Sequence, residues 1–186
     1  MIKAEEYINH SGGAVGSDSM WDSVGREFGV INHIHYWYKT KTPIGNRELT
    51  KEEYLEGVEK INIANQTLKR KGIEKYMHLL ARNWFQVKNS DSIYAIGELK
   101  SKREVTGGTG WSIRMSIDNE KRDIFVFVQT LNKWVRFDYS TSSFVSYPHI
   151  PMLTKNFAGI GTRQITEEGI NAIRNVYRKT LSFLKK

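Results

Sequence analysis

HSGGAVGSDSMW, residues 10–21, sets three glycines, three serines and an aspartate between a short apolar run and an amphipathic one. Upstream, YIN reads as the end of a strand. Downstream, Met20, Trp21, Val24 and Phe28 fall at helical spacing. Strand, tight turn and helix in immediate succession are the unit from which parallel α/β sheets are built.

Working outward, VINHIHYWY (30–38) alternates and is rich in β-branched and aromatic residues, so it reads as a strand. KTKTPIGNREL (39–49) carries Pro43, Gly45 and Asn46 and reads as a loop. Thr50 followed by Glu53 makes a capping box, predicting a helix from Lys51 to about Lys71. A second helix follows, with Tyr76, Leu79, Leu80, Trp84 and Val87 on one stripe. DSIYAIG and RDIFVFV are buried strands flanking GGTGWSIRMSI, a glycine turn that opens a helix. KWVRFDY to SSFVSY is a hairpin or an irregular edge, ended by Pro148 and Pro151. NFAGIGTR supplies a last strand, and Thr166, followed by Glu167 and Glu168, caps the final helix, which runs into a basic tail. The expectation is α/β: a single Rossmann-like three-layer domain over residues 1–186, its mostly parallel sheet covered by helices on both faces.

The chain has no cysteine, which excludes disulfides and thiolate metal sites. Its N-terminus lacks the apolar core of a signal peptide, and no apolar run approaches the roughly 20 residues that span a bilayer. A cytoplasmic protein without membrane contact is expected. The net charge of +8 favours anionic partners.

In an open parallel sheet every strand-to-helix turn lies at the carboxyl edge, where ligands bind. Three such turns are glycine-rich here: Gly12, Gly13 and Gly16; Gly107, Gly108 and Gly110; Gly159 and Gly161. Glycine admits close backbone approach, and each following helix offers unpaired amides to an anion. Ser11, Ser17, Thr109 and Thr162 add hydroxyls at the same edge, and Arg163 adds a planar guanidinium fork suited to phosphate. None of the turns has the Gly-Lys-Ser/Thr ending of the Walker loop, and GGAVGSD has the wrong spacing for a dinucleotide fingerprint. Asp18 can cap its helix, bind a cation or accept from a ribose hydroxyl. Trp111 is placed to stack on a purine, whereas Trp21 and Trp84 fit apolar stripes and read as core. His33 and His35 share a strand face without a third ligand for zinc, and His35 is a candidate ligand contact. Tyr36, Trp37 and Tyr38, with the loop after them, are candidates for an aromatic wall.

SGGAVGSDSMW, LLARNWFQVKNSDSIYAI, TGGTGWSIRMSI and FAGIGTR together resemble the SLOG superfamily, which includes the LOG phosphoribohydrolases, the DNA-processing protein DprA and molybdenum-cofactor carrier-like proteins. The resemblance leaves out residues 38–75 and 130–150. In most members the GTR-like strand comes first; here it comes last, which implies the circularly permuted branch. Arg82 matches the arginine of the LOG motif, whereas the position of its glutamate falls on Arg114. An always-protonated arginine cannot serve as a base, so the resemblance implies binding without LOG-type hydrolysis, with Arg82, Arg114 and Arg163 holding the anion. It further implies a phosphate-bearing nucleotide derivative as ligand, cyclic or derived from NAD or ADP-ribose, that is sensed or sequestered in conflicts between bacteria and viruses. A homodimer and the absence of any cofactor other than such a ligand are part of the same expectation. The alternatives are a phosphoribohydrolase using another carboxylate, Asp18 or Glu98; a molybdenum-cofactor carrier; and a protein binding single-stranded DNA, nucleic acid ranking below a small-molecule ligand.

Overall fold

The computed structural model describes residues 2–38 and 41–182. Residues 39 and 40 of the expected loop, and the end of the basic tail from 183, lie outside the described residues.

The strands are β1 (Ile8–Ser11), β2 (Asn32–Trp37), β3 (Arg47–Glu48), β4 (Ser92–Gly97), β5 (Leu99–Ser101), β6 (Glu104–Val105), β7 (Asp123–Val128), β8 (Lys133–Asp138), β9 (Ser143–Tyr147) and β10 (Asn156–Gly161). The helices are α1 (Ser17–Glu27), α2 (Lys51–Leu68), α3 (Met77–Lys88), α4 (Thr109–Asp118) and α5 (Glu167–Ser182). Eight strands form one sheet in the order β3-β2-β1-β10-β4-β7-β8-β9. It is parallel from β3 to β7, while β8 and β9 add antiparallel strands. The sheet is mostly parallel, as the alternation of strand and helix predicts, and the fold is Rossmann-like.

Alternate side chains of the central strands enter two different cores. Ile93, Ala95, Ile124 and Val126 join the core that contains Ile61, Trp84 and Ile113 of α2, α3 and α4. Tyr94, Ile96, Phe125 and Phe127 join the one that contains Trp21 of α1 and Ile173, Val176 and Tyr177 of α5. Strands buried on both faces read as continuous apolar runs, which is why SIYAIG and DIFVFV lack polar alternation. Trp21 and Trp84 are core residues, as expected. Among the described residues no helix is long and apolar enough to cross a membrane.

Several local readings change. The stretch read as a loop contains β3, two residues paired parallel with Tyr36 and Trp37. Helix α2 keeps the expected capping box at Thr50 and Glu53 but stops at Leu68, because Lys69 turns left-handed at φ 50°. The two buried strands are separated by an additional antiparallel ribbon, β5–β6, ahead of the second glycine turn. The stretch after β7, expected as a hairpin or an irregular edge, is a regular hairpin.

The last strand lies in the middle of the sheet, between β1 and β4. Asn9 Oδ1 accepts from the Gly159 amide at 2.8 Å, and the Trp21 indole covers Gly159 so closely that a Cβ there would sit 2.6 Å from the ring. Gly159→Ala is expected to lower the unfolding free energy by about 1–3 kcal/mol through overpacking against Trp21. An unchanged midpoint in urea unfolding would show that the indole yields freely.

Candidate functional site

The first and last glycine turns are in direct contact. Ser17 donates to the Thr162 carbonyl through both its amide, at 3.0 Å, and its hydroxyl, at 2.7 Å. A Cβ on Gly16 would lie 2.5 Å from the Arg163 backbone, and one on Gly161 would lie 2.5 Å from the Ile96 carbonyl. Glycine is required at both positions by close approach. The Asp18 carboxylate sits on this seam and accepts from the Gly12 amide on Oδ2 and from the Gly161 amide on Oδ1, each at 3.1 Å.

Two further donors of the first turn are engaged within the chain: the Gly13 amide by the Ser11 hydroxyl, and the Gly16 amide by the Ser19 hydroxyl. The turn, expected from the sequence to cradle an external anion, thus spends several of its donors within the chain. Here the anion held by the turn is the protein's own carboxylate. Gly13 takes the turn at φ 63° with its backbone against the His35 ring. Ser11, Gly13, Gly16, Ser17 and His35 therefore build the turn, and Gly12 and Asp18 are the residues of that group that face the cleft.

That cleft, of about 600 Å³, opens at the carboxyl edge between β10, β4 and the ends of α3 and α4. It brings together Gly12 and Asp18 of the first turn, Gly107, Gly108, Thr109 and Trp111 of the second, and Gly161, Thr162 and Arg163 of the last, with Arg82 of α3. At the start of α4 the amides of Gly107, Gly108 and Thr109 have no acceptor among the described residues. Thr109 and Ser112 are buried, line the cleft on one face of that helix, and have hydroxyls without a partner there. A Cβ on Gly110 would lie 2.2 Å from the Val105 carbonyl, so this glycine lets α4 start hard against β6.

Trp111 is not the free stacking platform expected. It is buried, and the Arg70 guanidinium lies 5.2 Å from its ring centroid. Arg70 also donates to the carbonyls of Gly107 and Val105 and pairs with Glu104, which fixes it over the indole.

Arg82 lies 4.7 Å over the Trp37 ring, and its only described protein hydrogen bond is a long one, 3.5 Å, to the Tyr36 carbonyl. Its buried Nε has no partner. Burial lowers its pKa, against the attraction of Asp18. Arg163 is exposed, and among the described residues neither it nor Arg82 forms an ion pair.

No protein-family model, curated protein or solved structure matches this chain.

Three further expectations move. Arg114 pairs with Asp118 one turn along α4, at 2.7 Å, and lies outside the cleft. Glu98 accepts from the amide and hydroxyl of Thr130 and does not face the cleft. Of the aromatic wall, Tyr36 is core, Tyr38 stacks on Tyr54 at 4.0 Å, and Trp37 supports Arg82. Sequence reading missed Arg70, Lys71 and Tyr76 as lining, because the basic run looked solvated and the aromatic looked like part of a core stripe.

His33 and His35 converge on Asp22 rather than on a metal, at 2.9 and 2.6 Å. Asn9 donates to the same carboxylate. Burial pushes Asp22 up, but the hydrogen bonds from both histidines outweigh it and pull its pKa to about 2. The Asp22 hydrogen bond in turn raises His35. Among the described residues no three groups are placed to hold a metal ion.

Burial pushes Asp18 up to about 6, against the hydrogen bonds of Ala14, Gly161 and Gly12. A carboxyl with a raised folded pKa binds its proton more tightly when folded, so its favourable contribution is present below its ordinary value and is lost as pH rises towards 6. Relative to Asp18→Asn, the wild type should lose roughly 3 kcal/mol of stability between about pH 4 and pH 6. Parallel pH profiles in urea unfolding of the two proteins would refute a strongly raised Asp18.

Proposed function

We propose that the cleft binds a phosphate-bearing nucleotide derivative and that its phosphate is held at the start of α4 rather than in the first glycine turn. The observation that carries this reading is the set of unengaged donors there: three consecutive backbone amides and the Thr109 and Ser112 hydroxyls, all at the positive end of one helix. Arg82 and Arg163 supply two guanidinium groups without carboxylate partners on the same cleft, suited to charge-assisted pairs with phosphate oxygens. Asp18 faces them as the acceptor for a hydroxyl or amine of the ligand. The volume of the cleft suits a nucleotide-sized molecule.

The position of β10 between β1 and β4 is in keeping with a permuted SLOG-like sheet. Within that frame the protein senses or sequesters its nucleotide. One observation favours a hydrolytic second reading: Asp18, a cleft carboxyl shifted to about 6, is poised for general acid or base chemistry near neutral pH. Incubation with adenosine monophosphate separates the two, since release of free base that disappears in Asp18→Asn belongs to the enzyme alone.

Arg163→Ala and Thr109→Val should each weaken adenosine monophosphate binding about ten-fold by calorimetry, without lowering the melting temperature, since Arg163 is exposed and valine matches threonine in shape. Unchanged affinity in both variants would remove the phosphate from the start of α4.

A further inference from the structure

The phosphate site accounts for part of the cleft only. Besides the phosphate-binding groups, the segment leading into α3 and the first turn of α3 line the cleft with Ile73, Tyr76, Leu79 and Leu80. Tyr76 is 58% exposed and has neither a ring partner nor a hydrogen bond among the described residues. An exposed aromatic beside other apolar groups in a concave site presents a face that a planar ligand can cover. Trp111 cannot serve, because Arg70 occupies it. Further along α3, Gln86 donates to Asn83 Oδ1 at 3.2 Å. Both carboxamides line the cleft, and with Asn83 Oδ1 engaged, the acceptor of Gln86 and the donor of Asn83 have no partner among the described residues. Such a pair matches the donor and acceptor edge of adenine, N6 with N7 or N1.

We infer that Tyr76, with Asn83 and Gln86, forms a nucleobase subsite that selects adenine-bearing ligands. This rests on the phosphate reading above, which supplies the anchor from which the base reaches these residues. The subsite belongs to the segment before α3 and to α3 itself, and it makes Tyr76 a specificity-determining residue rather than a surface aromatic.

The test compares adenosine 5′-monophosphate with ribose 5-phosphate, which keeps the anchor and lacks the base. Wild type should bind the nucleotide at least ten-fold more tightly by calorimetry, in line with the effect of removing one base–aromatic stack. Tyr76→Ala should lose that advantage while binding ribose 5-phosphate as before; Tyr76→Phe should keep it. Equal binding of the two probes by wild type, or an unchanged preference in Tyr76→Ala, overturns the subsite and leaves the phosphate site standing. Failure of both probes to bind overturns the phosphate reading and the subsite with it.

Discussion

One buried carboxylate joins the two ends of the fold. Asp18 takes an amide from Gly12 on one oxygen and an amide from Gly161, 143 residues further on, on the other. A desolvated carboxyl is costly unless its oxygens are satisfied, and these backbone donors offset part of that cost. The same contact sets the height of β10 relative to β1, and hence where Arg163 enters the cleft. Trp21 closing on Gly159 and Ser17 on the Thr162 carbonyl lie within the same few residues. The floor of the cleft is thus a seam between distant parts of the chain, which gives the site a rigid base.

The engagement of the first turn changes what the charge of the protein means. Many of the charges cancel in surface pairs such as Lys88 with Glu56 and Arg174 with Glu27, each worth little in water, and the +8 is the excess left over. The cleft differs in kind. Arg70, Lys71, Arg82 and Arg163 line it against a single acid, Asp18, and of these four only Arg70 has a carboxylate partner among the described residues. An imbalance concentrated in a concavity focuses a field that an evenly spread charge does not.

The layer architecture was legible because long apolar runs and helical stripes are set by burial, which each segment records for itself. SIYAIG, DIFVFV and the capping box at Thr50 needed no knowledge of their neighbours. The meeting of the three glycine turns was legible too, since their place at the carboxyl edge follows from the strand–helix alternation. What was not legible depended on register and partner choice. Whether the Gly12 amide faces a ligand or Asp18 is decided by how β10 aligns with β1, and no local pattern encodes it. Trp111 looked free because Arg70, which covers it, is 41 positions away in the sequence. Arg114 looked like a site residue from its place in a motif, yet the turn of the helix points it at Asp118. The two-residue strand β3 is too short to carry any periodicity at all.

The central place of β10 also has a bearing on how the protein comes into being. Within the eight-stranded sheet, β1 to β3 share no ladder with β4, β7, β8 and β9; their backbone pairing is joined only through β10. The edges of β1 and β4 are closed only when β10 pairs between them, so the sheet is completed by non-local pairing, of the kind that folds slowly.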